Sequence, residues 1–154
     1  MRLVHRPDPP NGRHPGSSTR PDAPGDRDAP DDRDVPDDRD VPDVLDDREE
    51  RTLATDVALA ETTLQQARGL MFRRSVPDGY ALAFPFERTA SRTLHMLFVP
   101  FAIDAVWVAD GEVTATKRLA PFVGLGRGTA DLIVELPAGA ADGVAVGDEV
   151  ALVE

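Results

Sequence analysis

From Ala23 onward the chain repeats a hexapeptide that no regular secondary structure accommodates. Its units are Asp26-Arg27-Asp28-Ala29-Pro30-Asp31, Asp32-Arg33-Asp34-Val35-Pro36-Asp37 and Asp38-Arg39-Asp40-Val41-Pro42-Asp43, with prolines at positions 24, 30, 36 and 42. Each proline lacks an amide donor and biases its predecessor away from helix, so neither a helix nor a β ladder propagates. One small apolar side chain per unit cannot offset the entropy of ordering it. A solenoid fails for the same reason, since stacked repeats need several buried positions per turn. Residues 1–50 are therefore expected to form a disordered, extended, partly polyproline-like acidic tail. Such a tail serves solubility in salt or acts as an acidic docking arm.

Charge and composition narrow the function classes. The net charge of −11 divides into −7 over residues 1–50 and −4 over residues 51–154. Such a surface repels phosphates, and no basic stripe interleaved with aromatics compensates, so no nucleic-acid partner is expected. Lys117 is the only lysine among 17 basic residues, and dense aspartate with little lysine fits a protein adapted to concentrated salt. The absence of cysteine excludes disulfides, thiolate catalysis and cysteine-held metal clusters. Of the three histidines, His5 and His14 fall in the tail, leaving His95 and too few ligands for zinc; no metal or other cofactor is expected. No apolar run reaches the length of a membrane span, and Met1-Arg2-Leu3-Val4-His5-Arg6-Pro7 lacks the apolar core of a secretory signal, so the expected location is cytoplasmic.

Regular patterning begins near Arg51. Thr55–Ala60 alternates with period two and puts Val57 and Leu59 on one face of a strand. Thr62 with Gln65 three residues on has the form of a capping box, and Leu64, Ala67, Leu70 and Met71 follow at helical spacing. Pro77-Asp78-Gly79 is turn chemistry. Tyr80–Phe84 reads as a strand stopped by Pro85, and Arg92–Phe98 as another. Ala105–Ala109, Asp110-Gly111 and Glu112–Thr116 together give the strongest short-range hairpin signal in the chain. Asp131–Leu136 is a buried strand, Pro137–Ala141 a single helical turn, and Val144–Val153 two short strands about Gly147-Asp148. The expected fold is α+β, mainly β: a small barrel-like antiparallel or mixed sheet over residues 51–154 with one packed helix.

Several of these segments, in this order and spacing, resemble the DUF 192 family. They are Ala67-Arg68-Gly69-Leu70-Met71-Phe72-Arg73, Leu94-His95-Met96, Ile103-Asp104-Ala105-Val106-Trp107-Val108, Asp110-Gly111, Glu135-Leu136-Pro137-Ala138-Gly139 and Val146-Gly147-Asp148. The resemblance covers residues 53–154 and implies a compact β-barrel-type domain for which no biochemical function is established. The chain departs from the family pattern at His95-Met96-Leu97-Phe98, where the common form is closer to Trp-Met-Lys-Asn.

Polar groups embedded in apolar segments are the candidate site. Arg68 offers a planar guanidinium to a carboxylate or phosphate, or pairs internally with Asp104 or Glu135. Asp104 opens an apolar strand, where it must be paired or accept backbone N–H bonds. His95 lies between Leu94 and Met96 and titrates near neutrality. A flexible 117–128 loop brings Lys117, Arg118 and Arg127 as anion contacts. Together Arg68, His95, Asp104, Lys117, Arg118 and Arg127 are expected to edge a binding cleft for an unidentified small molecule or protein. The competing expectation is a small hydrolase using Asp104 or Glu135 as base with His95. A Ser91-His95-Asp104 triad has no nucleophile elbow behind it. Trp107 is expected in the core, and Gly147-Asp148 in a tight turn.

Overall fold

The computed structural model describes residues 1–8, 49–62 and 69–154, and these carry eight strands. In chain order they are β1 (Arg2–Arg6), β2 (Arg51–Ala54), β3 (Asp56–Leu59), β4 (Tyr80–His95), β5 (Ile103–Ala109), β6 (Glu112–Leu119), β7 (Leu125–Pro137) and β8 (Glu149–Val153). They form one sheet in the order β2-β1-β8-β6-β5-β7-β4-β3, antiparallel except for the parallel β3–β4 pair. The Asp110-Gly111 hairpin is present as expected. Both residues have positive φ (52° and 84°), the twist that a two-residue turn between paired strands requires, and Ala109 pairs with Glu112 across it.

Alternation along the central strands builds a core on each face of the sheet. On β5 every residue from Ile103 to Val108 is buried. Val106 and Val108 face a core with Leu3, Val134, Leu136 and Val150. Ala105 and Trp107 face a second core with Phe84, Met96, Leu119 and Ile133. Trp107 is fully buried, as expected, and β7 is shaped to receive it. A Cβ at Gly126 would lie 2.4 Å from Trp107 Cη2, and one at Gly128 2.6 Å from its Cγ. Two glycines spaced by two therefore leave a slot in the strand face for the indole. Trp107 Nε1 donates to the Arg92 carbonyl at 3.1 Å, which satisfies its buried donor.

The expected α+β, barrel-like class with a packed helix needs correction: among the described residues there is no helix, and the sheet is not closed. Residues 63–68 of the expected helix lie outside the described residues. Beyond them the chain turns: Gly69 and Phe72 have φ of +49° and +65°, left-handed values that a right-handed helix cannot continue through. Only Thr55 separates β2 from β3, yet they are the two edges of the sheet. The amides of Thr55 and Asp56 are spent on the Gly79 carbonyl rather than on a closing ladder.

Three further expectations change. Pro85 does not stop its strand: β4 runs on to His95, and the missing donor falls at the last paired position before the β4–β7 register shifts. The 117–128 segment is a loop only over 120–124, because β6 continues to Leu119 and β7 starts at Leu125. Pro137–Ala141 is a turn, with the Ala140 amide donating to the Pro137 carbonyl at 3.0 Å, and β8 alone closes the chain.

The N-terminus differs most. Residues 2–6, placed with the tail in the sequence reading, are β1, seated between β2 and β8 with Leu3 and Val4 buried. The acidic repeat thus lies within the connection of an antiparallel strand pair, and residues 9–48 fall outside the described residues. Because closure entropy grows with the logarithm of loop length, replacing residues 9–48 by a four-residue turn should stabilise the domain by up to about 2 kcal/mol. A chain beginning at Arg51 lacks β1 and should show no cooperative transition. Urea unfolding of the two variants checks both outcomes. In the same assay Gly128→Ala should cost about 1–3 kcal/mol by overpacking, and most of that penalty should vanish in a Trp107→Ala background.

Candidate functional site

On β7, Glu135 falls on the same face as Ile133, so its carboxyl points into an apolar core. Its neighbours across the ladder are Leu82 of β4 and Ala105 of β5. The side chain is 4% exposed. Gly69 lies over it: a Cβ there would sit 3.6 and 3.7 Å from the two carboxyl oxygens and 3.4 Å from the Phe84 ring. A side chain at 69 would crowd this stack, and the left-handed φ of Gly69 suits glycine in any case. Oε2 of Glu135 has no hydrogen-bond partner among the described residues. Burial pushes the Glu135 pKa up to about 8, against an opposing pull from Arg73. Burial thus favours the protonated form of this group, in which it would be a hydrogen-bond donor.

A cavity of about 340 Å³ opens beside Gly69. It is bounded by Ala58, Leu59 and Ala60 at the end of β3, by Leu82, and by Gly69, Met71 and Arg73 of the turn. Its walls are mostly aliphatic. The Arg73 guanidinium stands 5.2 Å over the Tyr80 ring, a cation–π contact. The buried Tyr80 hydroxyl, like Glu135 Oε2, has no partner among the described residues. Of these polar groups Arg73 bounds the apolar space itself, while the Glu135 carboxyl lies against Gly69 and the Tyr80 ring against Arg73. Among the described residues no three His, Asp or Glu side chains group as metal ligands.

Two other buried acids are fully engaged. Asp104 accepts from Arg118 Nε at 2.7 Å and Nη2 at 3.2 Å, and from the amides of Gly139 at 2.8 Å and Ala141 at 3.1 Å. Burial alone would raise its pKa; the Arg118 hydrogen bond and the two amides outweigh that and hold it below the ordinary carboxylate value. Asp148 accepts from the amides of Asp8 at 2.9 Å and Ala145 at 2.8 Å, and lies 2.6 Å from His5 Nε2. Its pKa is likewise lowered, burial opposing and the Asp8 and Ala145 amides and His5 prevailing. His5, expected in the tail, is a buried tie between β1 and the turn before β8.

Of the six residues expected to share a cleft, Asp104 and Arg118 are brought together, and Lys117 and His95 both neighbour Leu125. Arg118 serves Asp104 and also donates to Asp142 at 2.6 Å. Lys117 Nζ donates to the Leu125 carbonyl at 2.8 Å, and Arg127 Nε to Ser91 Oγ at 2.7 Å. His95 is exposed, its Nδ1 accepting the Leu97 amide at 3.3 Å. Arg68 lies outside the described residues. None of the other five bounds the cavity beside Gly69. From sequence, Glu135 is named as an internal partner for Arg68 and as an alternative base. Its signal was an acid in the apolar run Leu132-Ile133-Val134-Glu135-Leu136.

Comparison with known proteins then defines the class. A family model, DUF192, described as an uncharacterized ACR, matches residues 44–152. The chain belongs to the DUF192 family. A UPF0127 protein of Thermococcus sibiricus is 34% identical over 100 residues, 61% of this chain, and the match spans 64% of that relative's length. The UPF0127 protein TK1120 of Thermococcus kodakarensis is 36% identical over 52 residues, 34% of this chain and 33% of its own. A crystal structure of a candidate transcription regulator from Sinorhizobium meliloti 1021 superposes with a TM-score of 0.58 at 25% identity, over 66% of this chain and 81% of that one. A protein of unknown function from Novosphingobium aromaticivorans gives 0.57 at 26% identity, over 62% and 74%.

The lowered carboxyls set the acid side of the stability profile. Asp104 and Asp148 contribute stability that is present above their unfolded pKa, near 3.8, and is lost as pH falls through their lower folded values. Asp104→Asn should cost about 2 kcal/mol at pH 7, since the Gly139 and Ala141 amides lose a charged acceptor. The difference from wild type should shrink below pH 4, which urea titration at a series of pH values measures.

Proposed function

We propose that this domain is a binding module for a small organic ligand, held in the cavity beside Gly69 with Glu135 and Arg73 supplying its polar contacts. The observation that carries the reading is Glu135: a buried carboxyl with one oxygen unpartnered among the described residues, packed against a glycine that lines the cavity. Core positions seldom retain such a group, because leaving it unpaired costs about 1–3 kcal/mol. A ligand carbonyl or carboxylate that accepts from the neutral Glu135 or from Arg73 would recover that cost. The aliphatic walls fit an apolar ligand body of modest size.

Catalysis by an Asp–His pair finds less support. Asp104 is held ionised by four hydrogen bonds and is a poor base, and His95 makes no contact with it.

Glu135 also makes stability fall with rising pH. Its folded pKa lies above the unfolded value of 4.5, so the folded state keeps a proton that the unfolded state has released. The contribution is complete below about pH 4.5, declines as pH rises toward 8, and levels off above it. Glu135→Gln should remove this decline. The binding test is thermal unfolding of the full chain against organic acids, sugars and other small metabolites. A true ligand at a hundred times its dissociation constant should add about 2.7 kcal/mol to wild type, and distinctly less to Glu135→Gln. Equal stabilisation of both proteins by every active compound would refute the assignment.

A further inference from the structure

Three loops meet at one end of the domain, and each presents a phenylalanine to solvent from a left-handed backbone. Phe72, Phe98 and Phe122 have φ of 65°, 59° and 60°. A residue other than glycine held in this region costs on the order of 1 kcal/mol or more, and bulky side chains adopt it seldom. The loops are locked to one another. The Phe72 amide donates to the Phe98 carbonyl at 3.0 Å, the Phe122 amide to the Val99 carbonyl at 2.9 Å, and the Met96 amide to the Gly124 carbonyl at 2.9 Å. Phe72 and Phe98 stack with ring centroids 5.0 Å apart.

The result is an apolar tip. Phe72 is 64% exposed and Val123 is 82% exposed, with Leu97, Phe98, Phe122 and Leu125 also open to water. Inward neighbours of the same loops, Leu70, Met96, Val99 and Leu119, are buried, so the loops have a core side and a solvent side that are both apolar. Strain repeated three times, with the strained side chain facing solvent each time, points to a use for those side chains outside the fold.

Charge identifies the occupant. The chain is strongly acidic, yet residues 69–77, 88–103 and 113–130 contain no aspartate or glutamate. Cations stand there instead: Arg74 lies two residues beyond Phe72, Lys117 is bonded to the Leu125 carbonyl, and Arg127 lies two residues beyond Leu125. We infer that this tip docks on an anionic membrane surface, with Phe98, Phe122 and Val123 entering the headgroup–acyl boundary and the cations meeting lipid phosphates. Apolar side chains on protruding loops, with basic residues beside them and no carboxylate, match that interface. A single-stranded nucleic acid fits less well, because the exposed side chains include the aliphatic Leu97, Val123 and Leu125, which stack poorly on bases, and Phe72 and Phe98 already stack on each other. The net negative charge elsewhere is screened beyond about 8 Å at physiological ionic strength, so the local cations govern the contact.

The test uses the full chain and vesicles of phosphatidylglycerol and phosphatidylcholine in equal parts, read by flotation. Wild-type protein is expected to float with these vesicles and less with phosphatidylcholine alone. Val123→Asp and Phe98→Ser are each expected to lower partitioning by about tenfold or more. Val123 is exposed, so Val123→Asp should keep the wild-type melting temperature and separates loss of docking from loss of fold. Failure of the wild type to float, or equal flotation of Val123→Asp, would overturn the inference. Concentration-dependent self-association abolished by Val123→Asp, without vesicle binding, would overturn it in favour of a second copy of the chain as occupant.

Discussion

The fold depends on the accommodation of one indole. Trp107 is the largest side chain in the core, and it projects from the central strand β5 toward β7. A strand with ordinary side chains at 126 and 128 would collide with it. Glycine at both positions lets the β4–β7 ribbon lie against the ring, and the Arg92 carbonyl on β4 takes the indole N–H. Thr114 of β6 adds a tie by donating to the carbonyls of Trp107 and Thr129. The second core is assembled around this contact, and Glu135 and the cavity beside Gly69 lie at its border.

Three acids in the same small domain are buried to similar degrees and behave differently. Asp104 and Asp148 were given donors: an arginine and two amides in one case, two amides and a histidine in the other. Their charge is a structural device, fixing the 137–142 turn to β5 and the N-terminal strand to the turn before β8. Glu135 was given apolar neighbours, a glycine and only the more distant pull of Arg73. Hydrogen bonds to the charged form outweigh desolvation at the first two sites, and desolvation wins at the third.

Much of this was legible in the residues. Asp110-Gly111 encodes its hairpin locally, Val57 and Leu59 mark one face of β3, Asp148 caps its own turn, and the lone tryptophan belongs to the core. The failures share a cause, which is pairing between residues distant in sequence. Leu3-Val4-His5 is too short to announce a strand, and its partners lie beyond the acidic repeat and at the C-terminus. Gly126 and Gly128 read as a loop because glycine weakens a strand, unless a bulky side chain across the sheet needs the space. The contacts of the cleft candidates were hidden for a similar reason: Arg118 pairs with Asp104, and Arg127 and Lys117 donate to Ser91 and the Leu125 carbonyl. The family match begins at residue 44, so β1 also lies outside the region that similarity identifies.

The central claim is that Glu135 is a neutral acid at physiological pH, kept so by its surroundings and available to a ligand. Carbon-detected NMR of the glutamate side-chain carboxyls across pH 3 to 10, assigned by loss of one resonance in Glu135→Gln, measures this directly. The account requires the Glu135 carboxyl to titrate near 8. Titration near the ordinary glutamate value of 4.5 would mean that the group is solvated or paired as an anion, and the proposed site would lose its basis.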